Sequence, residues 1–258
     1  MTVAAETVLL QVQNAVATIT LNRPEKLNAI EPRMLQRLEE IAGEIERDPG
    51  LRVVLLTGAG EQAFSVGADI SAWSALEPLD MWRTWVRTGH RVLDRLARLR
   101  QPVIAVLNGY TFGGGLELAL AADLRLAADH IEVGMPEVSL GTLPGWGGTS
   151  RLPSLVGPGR AKQLILTGAR IDALAAERWG LVNEVVPRVD LYARAAQLAQ
   201  DIAKHAPVAI QLAKQLIDSS HDGGTLESLG GALAATTRDA QEGLIAFRER
   251  RAPLFGGR

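Results

Sequence analysis

Two short runs in this chain are apolar at nearly every position. Val53-Val54-Leu55-Leu56-Thr57-Gly58 and Pro102-Val103-Ile104-Ala105-Val106-Leu107 each end at a glycine turn. A strand with no polar alternation has both faces buried. Strands of that kind occur almost only in parallel sheets covered by helices. These runs therefore call for an α/β architecture, with the loops after them at the carboxyl ends of the strands.

The surrounding pattern agrees. Val8–Val12 and Val16–Leu21 alternate around Gln13-Asn14 and predict a hairpin. Met34, Leu38, Ile41 and Ile45 recur at helical spacing until Asp48-Pro49-Gly50 stops them. A second helix is expected over Asp80–Leu99, where Gly89 is out of place for a helix interior. Leu124–Ala128 and Glu132–Met135 read as further strands. From Trp146 onward the pattern turns helical, with one short strand at Leu181–Val186 and helices at Leu191–Ala203, Pro207–Ile217 and Thr225–Arg251. The expected organisation is an α/β core over residues 1–195 and a helical region over 196–258.

Composition removes several chemistries. The chain has no cysteine, so it offers no thiolate nucleophile and no Cys-ligated metal. Its four histidines (His90, His130, His205, His221) are scattered, with no pair at metal-ligand spacing, which argues against a zinc enzyme or a Ser-His-Asp hydrolase. The net charge of −2 argues against a nucleic-acid partner. No apolar run approaches the ~20 residues that a bilayer needs. The N-terminus reads neither as a secretory signal nor as a transit peptide. A cytoplasmic protein with no membrane partner is the expectation, and its chemistry must run on carboxylates, hydroxyls or backbone dipoles.

Two glycine-rich segments and two carboxylates stand out. Phe64-Ser65-Val66-Gly67-Ala68-Asp69-Ile70 follows the first buried strand, and Asn108-Gly109-Tyr110-Thr111-Phe112-Gly113-Gly114-Gly115-Leu116-Glu117 follows the second. Glycines entering a helix expose N–H donors, so two such loops could offer two donors to one carbonyl oxygen; tight turns alone would use the same residues. Glu117 and Glu137 are each flanked by apolar residues. Such a carboxylate is either solvated on an outer face or buried with a raised pKa, and the buried case suits proton transfer. Asp123 reads as a structural turn or cap residue.

Taken together these segments resemble the crotonase family, the enoyl-CoA hydratase/isomerase superfamily. The resemblance begins at Asn22-Arg23-Pro24-Glu25-Lys26-Leu27-Asn28-Ala29 and includes FSVGADI (64–70), the stretch 102–127 and MPEVSLGTLPGWGGTSRL (135–152). It continues through 159–187 and reaches EGLIAFRERRAPLF (242–255). It implies a crotonase-like spiral of ββα units, with a C-terminal helical region that builds trimers or hexamers. It also implies an oxyanion hole from the amides of Ala68 and Gly114, and catalytic glutamates at Glu117 and Glu137. The implied contacts to CoA fall on Lys26, Leu27, Ala29, Val66, Asp69, Ile70, Phe247 and Arg250. Neither a metal nor a cofactor is implied, since coenzyme A is part of the substrate. The implied reaction is hydration of a trans-2-enoyl-CoA. The alternatives are an isomerase or other specialist working through the same enolate, or a non-catalytic binding member.

Two departures bear on substrate range. Ser71 stands where many relatives carry lysine, and Trp146 fills a slot often held by a small residue. The indole either narrows the acyl pocket or serves core packing. The arginines near the C-terminus (Arg248, Arg250, Arg251, Arg258) form either a solvated helix face or contacts to CoA phosphates.

Overall fold

The computed structural model describes residues 6–219 and 223–258; the first five residues, on which part of the N-terminal reading rests, and His221 lie outside them. β1 (Val8–Gln13) and β2 (Val16–Leu21) form the expected antiparallel hairpin, turned at Asn14 in the left-handed region (φ 55°). A short 3-10 turn (Pro24–Lys26) leads to α1 (Pro32–Arg47), which starts on proline and buries Met34, Leu38, Ile41 and Ile45.

From there the chain repeats one device. β3 (Val53–Gly58), β5 (Val103–Leu107) and β7 (Leu124–Ala128) lie side by side in parallel. After each comes a three-residue strand in a second sheet: β4 (Ala63–Ser65), β6 (Tyr110–Phe112) and β8 (Glu132–Gly134). Helices then return the chain. After β4 they are α2 (Ile70–Trp73) and α3 (Pro78–Asp80), the latter running through a π-helical stretch (Met81–Val86) into α4 (Arg87–Ala97). After β6 comes α5 (Gly114–Leu120), and after β8 comes α6 (Gly148–Thr167). β9 (Arg170–Asp172), α7 (Ala173–Arg178) and β10 (Glu184–Val186) complete the two sheets. Their orders are β1-β2-β3-β5-β7-β10 and β4-β6-β8-β9. This is the spiral of ββα units that the resemblance implies.

Four helices follow: α8 (Leu191–Ala203), α9 (Pro207–Asp218), α10 (Gly223–Ala235) and α11 (Arg238–Glu249). The division at residue 195 falls inside α8, whose Leu191, Ala195 and Ala199 are buried as it packs across β3, β5 and β7. The single helix expected over Thr225–Arg251 is two. Thr236 and Thr237 turn their hydroxyls onto the carbonyls of Leu233 and Ala234, and Thr237 caps α11 by accepting from the Ala240 amide at 3.1 Å. Hydroxyls that satisfy the backbone locally end one helix and start the next. Among the described residues no helix is long and apolar enough to cross a membrane.

Candidate active site

The two glycine-rich loops meet because their glycines leave room for it. Gly67 has φ +99°, and a Cβ there would lie 2.9 Å from both the Gly114 nitrogen and the Phe112 carbonyl oxygen. A Cβ on Gly115 would lie 2.2 Å from the Ser65 carbonyl oxygen, so α5 is pressed directly onto β4. Any side chain at either position would force the loops apart. Ala68 and Gly114 are thereby brought together: a Cβ on Gly114 would sit 3.4 Å from the Ala68 nitrogen. Among the described residues neither amide donates a hydrogen bond inside the protein. Two adjacent, unspent N–H donors form what an oxyanion requires.

Two carboxylates flank this pair. Glu117, in the first turn of α5, is 3% exposed. One of its oxygens accepts from the Trp146 amide at 2.7 Å and the Gly148 amide at 2.8 Å. Burial raises its pKa; those amides and the Arg151 charge pull the other way. Glu137 opens the 3-10 turn Glu137–Leu140, and a Cβ on Gly113 would lie 3.2 Å from its Oε1. Both Glu137 oxygens are buried without a hydrogen-bond partner among the described residues. Burial, aided by the charge on Glu117, pushes its pKa up to about 7. Neither glutamate is solvated on an outer face.

Both line a cleft together with Val66, Ala68, Ile70 and Gly114. The Asn22–Ala29 segment is strapped to the first loop: Val66 donates to the Leu27 carbonyl at 3.2 Å, Ile30 to Gly67 at 2.7 Å, and Asp69 to Ile30 at 2.9 Å. This sets Leu27 and Ala29 beside Val66 and Asp69, with Lys26 exposed at the end of its turn. The Asp69 carboxylate is already engaged. It caps α2 through the Ser71 amide at 3.1 Å, accepts from the Ser71 hydroxyl at 2.6 Å and pairs with Arg23 at 2.9 Å. The Ser71 hydroxyl, followed by Arg23, holds it below the usual carboxylate range. Phe247 and Arg250, at the far end of α11, do not line this cleft within a single chain, and Phe247 is 84% exposed. Asp123 is structural: it accepts from the Val103 amide at 2.6 Å and from Lys214 at 2.8 Å.

Sequence reasoning missed the parts supplied from afar. Met81 and Trp85 of the π-helical stretch line the cleft beside Trp146, for which the sequence leaves pocket and core both open. Arg151 donates to the Trp146 carbonyl at 2.9 Å and pairs with Asp94 of α4, bracing the loop whose amides hold Glu117. The available signals were the glycines around Trp146 and the misplaced Gly89.

A model of the enoyl-CoA hydratase/isomerase family matches residues 11–258. A short-chain-enoyl-CoA hydratase of Clostridium acetobutylicum is 41% identical, over 95% of this chain and 95% of that protein. An (E)-benzylidenesuccinyl-CoA hydratase of Thauera aromatica is also 41% identical, over 97% of this chain and 99% of its own length. The crystal structure of an enoyl-CoA hydratase from Bacillus anthracis superimposes with a TM-score of 0.95 at 39% identity, covering 98% of this chain and 100% of that one. Sequence and architecture agree almost from end to end, and the chain belongs to the enoyl-CoA hydratase/isomerase family.

Proposed function

We propose that this chain is a cytoplasmic enoyl-CoA hydratase that adds water to a trans-2-enoyl-CoA and yields a 3-hydroxyacyl-CoA. The observation that carries the reading is the pair of buried carboxylates in contrasting bonding states, set on either side of two converging amides. The thioester oxygen sits on the N–H groups of Ala68 and Gly114, which stabilise the negative charge that builds there as water attacks. Glu117, whose oxygen already faces donors that favour an anion, takes a proton from water as its oxygen adds to C3. Glu137, which has no donor among the described residues and favours the neutral carboxyl, delivers its proton to C2. Mere binding of a thioester would need neither carboxylate.

The nucleotide of CoA is assigned to Lys26 and the strapped segment beside Asp69, with Phe247 and Arg250 reaching it from a neighbouring subunit of a trimer or hexamer. Exposed Leu229, Leu233, Leu244 and Phe247 on α10 and α11 support such an assembly. No metal or cofactor enters the scheme.

The test is hydration of crotonyl-CoA, followed by loss of absorbance of the conjugated thioester, with Glu117→Gln alongside. Steady turnover by the wild type that collapses in the variant supports the reading. Turnover unaffected by Glu117→Gln overturns it.

A further inference from the structure

The cleft has an open end and a closed one. Ile70, Leu140 and Leu143 at its rim are 51%, 56% and 64% exposed, whereas Trp85 and Trp146 at its inner end are 6% and 2% exposed. The two tryptophans lie against each other, ring centroids 5.3 Å apart and tilted by 53°. The backbone on both sides is cut back to admit Trp146. A Cβ on Gly89 of α4 would come within 2.1 Å of its Nε1, and a Cβ on Gly114 within 2.6 Å of its Cζ3. The indole therefore spans from the backbone of α4 to the residue that carries one of the oxyanion donors. Its own backbone is held at both ends, by Glu117 on the amide and Arg151 on the carbonyl.

We infer that Trp146, seated in the notch at Gly89, sets the depth of the acyl pocket and confines the substrate to short acyl groups. The inference rests on the acyl-CoA reading above. CoA is too large and too charged to enter, so it stays at the exposed rim. A thioester oxygen on Ala68 and Gly114 then directs the acyl tail inward, toward the tryptophan pair. The indole cannot swing aside, because peptide backbone lies against two of its edges and interiors this close-packed do not yield freely. Gly89 thus has a reason to interrupt a helix: any side chain there would occupy the place of the ring.

The test measures binding of butyryl-CoA and decanoyl-CoA by titration calorimetry to the wild type, Trp146→Ala and Trp146→Phe. Both thioesters are saturated and are not hydrated, so the result does not depend on turnover. The wild type is expected to prefer the four-carbon thioester. The preference should move at least tenfold toward the ten-carbon one in Trp146→Ala and by less in Trp146→Phe, as expected when pocket volume controls selection. Should Trp146→Ala fail to fold, Trp146→Phe carries the test, its partial shift being the expected result. Equal affinities in the wild type, or an unchanged ratio in the folded variants, overturn the inference even if crotonyl-CoA is hydrated. A shifted ratio without hydration upholds the pocket and overturns only the hydratase reading. If the wild type binds neither thioester, both fall.

Discussion

In the same cleft one glutamate sits on a helix with two amides on one oxygen, and another sits in a 3-10 turn with no partner for either oxygen among the described residues. Glu117 and Glu137 are the same residue, and burial raises the pKa of both. Their neighbours separate them. Two amides and the Arg151 charge offset part of the burial cost on Glu117, whose pKa stays raised, while Glu137, with no hydrogen-bond partner among the described residues, is pushed up to about 7. One residue type can serve as base and acid in a single cleft when backbone groups, placed by distant parts of the chain, divide the work.

The largest effect should come from removing either carboxyl. Glu117→Gln and Glu137→Gln keep the shape and are each expected to slow hydration by ~10²–10⁴-fold, with the far-ultraviolet circular dichroism unchanged. A silent Glu137→Gln beside a dead Glu117→Gln would reduce the pair to a single working carboxylate.

Burial of the two carboxyls should also be visible in stability. A carboxyl with a raised pKa in the folded chain keeps its proton after the unfolded chain has lost it. Stability then falls as pH rises from the ordinary value of 4.5 to about 7. The shift corresponds to about 3 kcal/mol for Glu137. Urea unfolding at pH 4.5 and pH 8 should show Glu137→Gln free of that part of the loss. An identical loss in the variant would mean that Glu137 is solvated.

Rates should carry the same mark. kcat/KM should decline above about pH 7 by about tenfold per pH unit as Glu137 loses its proton, and Glu137→Gln should abolish this limb. A wild-type profile that stays level through pH 9 contradicts the assignment of Glu137 as the acid.

The smallest effect tests the support beneath Glu117. Arg151→Gln removes a charge that favours the Glu117 anion and loosens the loop that binds it, and is expected to cost about tenfold in kcat. The acidic limb of the profile should move to higher pH while the upper limb stays in place. Movement of both limbs together would show that Arg151 acts on the whole cleft instead of on Glu117.

Much of this molecule was legible in its sequence, for local reasons. The buried runs of β3 and β5 demand a covered parallel sheet whatever follows them, and the spacing of Met34, Leu38, Ile41 and Ile45 defines α1. The loops at 64–70 and 108–117, with Glu117 and Glu137, stood out because glycines and charges among apolar residues need a reason. Of the second sheet, β8 is legible as the stretch Glu132–Met135, but β4 and β6 are three residues each, too short for any periodicity, and exist only because neighbours pair with them. Nor could the sequence divide the two glutamates, since the amides of Trp146 and Gly148 lie some thirty positions from Glu117 and arrive only on folding. The sequence also could not show that the Asp69 carboxylate is engaged by Arg23 and by the start of α2 at Ser71. Trp146 could equally have been core or pocket, and it turned out to be both: buried in a notch at Gly89 and closing the cleft. Pattern along the chain determines which segments must be covered. Which donor faces which carboxylate, and which ring closes which space, depends on contacts between residues far apart in sequence, and those are settled by packing alone.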